Sequence, residues 1–234
     1  MSMQIPLSLA LNKQLSFADF YAGDNQALVQ LLQTSLQHQH SDGAVFIWSG
    51  DAVGKTHLLQ AACEALGQDK RQAIYLPLRQ HEELTPAVLE DIAQFDLVCF
   101  DDIDAVVGDA EWEQALFLAF NQLFDHGRHM LFAANQNVPA LGVELADLRS
   151  RLSWGFVYQV LSLNDEQKAL ALQQRAIRMG LQLPNSVAAF LLKHYSRDMS
   201  DLSRLLNELD QASLAQQRKL SVPFVKKFVQ AVMQ

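Results

Sequence analysis

The 234-residue sequence predicts an α/β fold: a parallel sheet covered by helices on both faces, followed by a smaller helical domain. Three observations predict it. Between residues 44 and 161, short apolar runs alternate with stretches of helical periodicity. After Leu161 the runs stop and only helical patterns continue. The first run leads straight into a loop ending Gly54-Lys55-Thr56, and a helical pattern begins directly behind that loop.

Taken in order, residues 1 to 16 form an apolar-containing leader without a helix period, expected to be extended. Asn25 to Gln37 places Leu28, Leu31, Leu32 and Leu36 on one helical face. Strands are expected at 44–48, 73–78, 96–101, 129–134 and 156–161. Helices between them are expected at 56–66, 83–93 and 110–125. Asn164-Asp165 reads as an N-terminal cap for a helix running to Met179, with Gly180 closing it. Pro184, Ser200 and Pro223 begin three more helices, and Leu202, Leu205, Leu206, Leu209 and Ala212 form a single stripe suited to bundle packing. The domains are therefore a leader (1–16), an α/β domain (17–161) and a helical lid (162–234), with the seam between the last two as the expected pocket.

The loop Ser49-Gly50-Asp51-Ala52-Val53-Gly54-Lys55-Thr56 is a phosphate-binding motif in its proper strand-to-helix setting. Successive backbone N–H groups at a helix N-terminus cradle an anion, Lys55 reaches the outer phosphates, and the Thr56 hydroxyl can ligate Mg²⁺. Ser49 stands where the motif usually has glycine. A left-handed serine there would cost roughly 1 to 2 kcal/mol, weakening the loop without abolishing it. About 45 residues later, Asp96-Leu-Val-Cys-Phe-Asp-Asp-Ile-Asp104 forms a buried-type strand delivering carboxylates at its tip. Asp101 is placed to hold Mg²⁺, and Asp102 to orient a water. The strand 130–134 ends in Asn135, a candidate sensor of the terminal phosphate; asparagine after a strand is also an ordinary turn residue. Arg149 and Arg151 precede Trp154-Gly155. A guanidinium suits phosphoryl-transfer charge, but a solvated basic helix end explains the pair equally well.

Bulk composition narrows the functional classes. Eighteen basic against 26 acidic residues give a net charge of −8, which opposes unaided binding to duplex DNA. No apolar stretch approaches the roughly 18 residues of a membrane span, and no secretory leader is evident, so the chain reads as cytoplasmic. Cys63 and Cys99 fall at apolar positions and read as core filler. His38 and His40 sit in a polar connector too poor in other ligands for a metal. The Asn-Lys-x-Asp base reader of GTPases does not occur.

Together, Lys55-Thr56-His57-Leu58, Asp101-Asp102-Ile103 and Ser150-Arg151-Leu152-Ser153-Trp154-Gly155 resemble the AAA+ core of the bacterial replication initiator DnaA, over about residues 15 to 225. Phe17-Ala18-Asp19-Phe20 with Gly23 and Asn25 is similar to the segment flanking the base in that clade. Nothing matches the initiator's N-terminal domain or its helix-turn-helix DNA reader. Trp112 and the tail from Ala215 to Lys226 are similar to the truncated DnaA paralogues that inactivate the initiator.

The resemblance implies an additional-strand P-loop AAA+ core with a helical lid. It places Phe20, Tyr21 and His57 at the nucleotide, makes Asn135 the phosphate sensor, and makes Arg151 an arginine finger acting on a neighbouring subunit. Gln4, Leu7 and Leu9 are similar to the short peptide by which replication proteins dock on the DNA polymerase sliding clamp. The implied role is regulatory: the chain stimulates hydrolysis of DnaA-bound ATP, touches DNA only through the clamp, and holds ADP with Mg²⁺ as its own ligand. Ser200 stands where the initiators carry a sensor arginine, with Arg197 and Arg204 out of register, so weak or absent turnover of its own is expected. A homodimer is one possible assembly. The alternative reading is an autonomous AAA+ ATPase acting as a helicase loader.

Overall fold

The computed structural model describes residues 15–41, 43–50, 53–216 and 218–232. Five strands, β1 (Ala44–Trp48), β2 (Ala73–Pro77), β3 (Leu97–Asp101), β4 (His129–Ala134) and β5 (Gly155–Gln159), form one sheet in the order β2-β3-β4-β1-β5. Every pairing is parallel. The strand inserted between β1 and β3 is β4. The tips that end in Ser49, Asp101 and Asn135 therefore lie side by side at one end of the sheet, where open α/β folds bind ligands.

Alternate residues of each strand feed two cores. On one face Phe46, Phe100 and Phe132 pack beneath α3 (Ala110–Asp125), with the Phe100 and Phe132 rings stacked 4.6 Å apart. On the other, Val45, Ile47, Cys99 and Ala133 meet α1 (Gln26–Gln37) and α2 (Lys55–Gln68). Cys63 and Cys99 are free thiols in this second core, with sulfurs 3.5 Å apart. At the sheet edge, β5 lies against β1 because residue 155 is glycine. It holds φ +112°, and a Cβ there would come within 2.3 Å of the Ala44 carbonyl oxygen.

The expected helix at 83–93 is instead three separate 3-10 turns, Leu78–Glu83, Pro86–Leu89 and Ile92–Gln94. Pro86 lacks an N–H, Thr85 before it is extended, and Asp91 is left-handed at φ 56°, so no continuous ladder forms. Leu89 and Ile92 are still buried in the first core. A short helix, α4 (Ala146–Leu152), carries both arginines in its last turn, as the basic-helix-end alternative had them, and buries Leu148 and Leu152.

The chain divides into two compact units between Leu161 and Ser162. The second unit contains α5 (Asp165–Arg178), α6 (Asn185–His194), α7 (Met199–Gln216) and α8 (Val222–Val232) around its own core. Asn164 caps α5 by accepting from Gln167 N–H at 2.8 Å. Leu202, Leu205, Leu206 and Leu209 of α7 are fully buried. Among the described residues, no helix is long and apolar enough to cross a membrane.

Candidate functional site

Gly54 makes the turn from β1 into α2. Its φ of +95° suits glycine, and a Cβ would stand 2.8 Å from the Phe20 ring. Phe20 in turn meets His57 edge-on at 5.4 Å, and His57 Nε2 lies 2.9 Å from the Ser16 carbonyl oxygen. The segment carrying Phe20 and Tyr21 is thus seated on the start of the phosphate-loop helix. Ser49 is not among the left-handed residues, which outside glycine are Lys70, Asp91 and Asp102 among the described residues. The strain expected of a serine at the first loop position does not arise: Ser49 N–H instead continues the sheet to Ala134 O at 3.2 Å. Asp51 and Ala52 lie outside the described residues, as do the leader residues Gln4, Leu7 and Leu9.

Lys55 is buried. Its ammonium donates to the carbonyls of Ser49 (2.9 Å) and Gly50 (3.1 Å) and to Asn135 Oδ1 (3.1 Å). The Asn135 amide is oriented by Asp104, which accepts from Asn135 N–H at 3.0 Å and from its side-chain NH₂ at 2.8 Å. That bidentate contact leaves Oδ1 facing Lys55. Asp101, at the tip of β3, accepts on Oδ2 from the Thr56 and Tyr75 hydroxyls, each at 2.7 Å. A hydroxyl beside a carboxylate, next to a phosphate cradle, is the hard-oxygen donor set that Mg²⁺ prefers.

Asp102 follows in a left-handed conformation, with Oδ2 3.2 Å from Arg79 Nε. Burial and the neighbouring Asp101 raise its carboxyl above the usual range, and the Arg79 charge offsets part of that. Burial, together with the charge and hydrogen bond of Asp101, holds the Tyr75 phenol protonated far above its ordinary titration. Tyr75 is therefore a permanent donor to Asp101.

Arg151 lies elsewhere. Its guanidinium sits 5.9 Å above the buried Phe120 ring, beside an open recess lined by Phe117, Asp147, Ser150 and Trp154. Arg151 precedes β5 at the end where Gly155 pairs with Ala44, whereas the phosphate loop leaves β1 beyond Trp48. Four residue steps of roughly 3.3 Å each, about 13 Å along the sheet, separate the two ends.

The description "Bacterial DnaA ATPase domain" matches residues 11–159, nearly two-thirds of the chain. This chain belongs to the bacterial DnaA ATPase family. Residues 165–229 match the description "Hda, lid domain", consistent with Hda, a DnaA paralogue. Domain III of the Thermotoga maritima initiator DnaA superposes with a TM-score of 0.77 at 19% identity, covering 92% of this chain and 95% of that one. AMPPCP-bound DnaA from Aquifex aeolicus gives 0.72 at 21%, covering 85% and 66%. The RuvB Holliday junction branch migration motor of Thermotoga maritima gives 0.67 at 15%, covering 92% and 73%. The architecture is thus AAA+, with a DnaA-type ATPase domain and an Hda-type lid.

Within this DnaA-family chain, Lys55, Thr56, Asp101 and Asn135 come together, and Asp102 lies beside them. Ser200 sits in the first turn of α7, its N–H donating to Asp198 at 2.6 Å. Arg197 and Arg204 are held in exposed ion pairs with Asp165 (3.3 Å) and Asp201 (2.7 Å). Four residues of consequence escaped the sequence reading: Tyr75, Arg79, Asp104 and Glu113. Asp104 left a trace, as a third carboxylate in Asp-Asp-Ile-Asp. Tyr75 looked like any strand aromatic, and the partners of Arg79 and Glu113 are distant in sequence.

Glu113 positions the arginine helix. Its carboxylate accepts from Gly108 N–H (2.9 Å), Glu144 N–H (3.1 Å) and Leu145 N–H (2.6 Å), the last being the N-cap residue of α4. Burial works against its charge, but the three backbone donors outweigh it and hold the carboxyl below the ordinary glutamate range.

Proposed function

We propose that this chain is a nucleotide-holding regulator of the initiator DnaA, completing the initiator's ATPase centre from outside. The observation that carries this reading is the separation of Arg151 from the chain's own phosphate loop, at opposite ends of a parallel sheet. A guanidinium so placed is remote from the chain's own phosphate loop and open to a nucleotide held by a neighbour. There its fixed charge stabilises the oxygens of the transferring phosphoryl group, accelerating hydrolysis and leaving DnaA in its ADP form.

The chain's own crevice holds an adenine nucleotide, with ADP as the retained form. Gly50, Gly54 and Lys55 embrace the phosphates while Phe20 and Tyr21 flank the base. Thr56 and Asp101 would hold Mg²⁺, which screens the phosphate charge. Tyr75 keeps Asp101 oriented, and Asn135, with Oδ1 on Lys55 and one amide hydrogen on Asp104, senses the outer phosphate with its second amide hydrogen. Turnover at this site is weak or absent, because Ser200 replaces a cation and the nearest arginines are paired on the surface. Gln4, Leu7 and Leu9 tether the chain to the sliding clamp, which raises its effective concentration near replicating DNA and makes DNA contact indirect. The reading places the protein in the cytoplasm.

The test mixes the full chain with ATP-loaded DnaA, with and without clamp encircling DNA, and follows conversion of bound ATP. Acceleration should depend on the clamp. Arg151→Ala should reduce it about a thousandfold while leaving clamp retention intact. Replacing Gln4 and Leu7 by alanine should remove retention, and with it the clamp-dependent acceleration, while sparing the fold. Unchanged stimulation by Arg151→Ala would refute the finger. Brisk ATP turnover by this protein alone, eliminated by Asp101→Asn, would favour the helicase-loader alternative.

A further inference from the structure

The segment from Ser16 to Asn25 is fastened at two places far apart in sequence. One is the start of α2, where His57 meets the Ser16 carbonyl and the Phe20 ring lies over Gly54. The other is Asn25, a buried polar residue at the end of that segment. Its side-chain NH₂ donates to Leu161 O at 2.9 Å, and its Oδ1 accepts from Leu161 N–H at 2.7 Å. Both hydrogen-bonding groups of one backbone residue are thereby closed by a single side chain, 136 positions away. An amide is the group whose donor and acceptor match a peptide unit in this way.

Leu161 ends the ATPase unit, immediately before the chain enters the helical unit at Ser162. It also follows Val160, whose N–H continues the β1–β5 ladder to Trp48 O at 2.8 Å. The Asn25 pair therefore anchors the far end of the Phe20–Tyr21 segment to the rigid sheet. Between the two fastenings the chain makes a tight turn, with Gly23 at φ +52° and Asn25 N–H reaching back to Ala22 O at 2.8 Å.

We propose that Asn25 is a positioning residue for base recognition. By holding the segment at the sheet exit it sets Phe20 and Tyr21 at the height of a purine, and so makes the crevice select a nucleotide over a bare polyphosphate. This rests on the reading that Phe20 and Tyr21 flank the base. Among the described residues, the elements that the Asn25 side chain joins are the strap and the residues just past β5. Its loss leaves the Leu161 N–H and C=O without their protein partner and releases one end of the strap, while Lys55 and Thr56 keep their own contacts.

The experiment measures dissociation constants of ADP and of inorganic tripolyphosphate, both with Mg²⁺, for the full chain and for Asn25→Ala, by titration calorimetry. The intact chain should prefer ADP. Asn25→Ala should weaken ADP about tenfold and leave tripolyphosphate within about twofold, so that the preference collapses. Asn25→Gln, which keeps both amide groups on a side chain one carbon longer, should fall between; it also serves if the alanine variant does not fold. Equal weakening of both ligands, or unaltered ADP affinity in a folded variant, overturns the role of Asn25. If the unaltered chain binds tripolyphosphate as tightly as ADP, the base-flanking role of Phe20 and Tyr21 is what fails, and the inference goes with it.

Discussion

At the scale of single residues, the phosphate end of the sheet is a set of side chains that hold one another in place. Asp104 turns the Asn135 amide, Asn135 meets Lys55, and Asp101 gathers the Thr56 and Tyr75 hydroxyls. Asp102 is the member held at a cost, left-handed and pressed toward neutrality by burial and by Asp101. A carboxyl whose folded pKa is raised destabilises the fold above that pKa, and the penalty disappears below its unfolded value. Asp102→Asn should therefore melt at a higher temperature than the parent at pH 7 to 8. The gap should close as pH falls through the carboxylate range. Asparagine tolerates the left-handed backbone, and the exposed Arg79 pair that is lost contributes little. Thermal melts across pH that show no gap at neutrality would contradict the burial account.

Among elements, α4 depends on a contact made from another helix. Seven residues cannot sustain a helix alone, and Leu145 at its N-cap brings no capping side chain of its own. The Glu113 carboxylate, on α3, instead pins the chain entering α4 by accepting from Glu144 and Leu145 N–H, and its charge also suits the helix N-terminus. Glu113→Gln replaces one acceptor oxygen by a donor facing N–H groups, and should cost about 1 to 3 kcal/mol in denaturant melts. Because the folded pKa of Glu113 is lowered, its contribution is complete above the ordinary glutamate range and is lost as pH falls through the folded value. The difference between parent and Glu113→Gln should accordingly shrink in acid. A constant difference from pH 7 down to pH 3 would mean that ionised Glu113 is not what holds α4.

For the whole molecule, the phosphate loop and the Arg151 recess occupy opposite ends of one rigid sheet. On the function proposed above, the domain would hold its own nucleotide at one end and serve a neighbour's at the other. The first of these functions has a simple readout. Saturating ADP with Mg²⁺, at about 100 times its dissociation constant, adds roughly 2.7 kcal/mol to the stability of the unit that binds it. That should raise its melting temperature by about 5 °C or more. Lys55→Ala should remove most of the shift, since Lys55 is the buried cation of the cradle. A full shift in the variant would place the nucleotide elsewhere.

The sequence alone determined the order of strands and helices, the phosphate loop, the Asp101 tip and the helical second unit, because each is a local pattern. An apolar run of strand length, a Gly-Lys-Thr turn and a cap such as Asn164 act within a few residues of themselves. It misjudged residues 83–93, where helical spacing of apolar residues outvoted Pro86, and it assigned Ser49 a strain that the extended strand end does not impose. Tertiary structure alone decided that Tyr75 and Asp104 orient the site and that Asn25 closes on Leu161. Those contacts join residues 26, 31 and 136 positions apart, and no local spacing encodes them. They exist because a parallel sheet brings the ends of separated strands to one edge, where buried polar groups must find partners or remain unsatisfied.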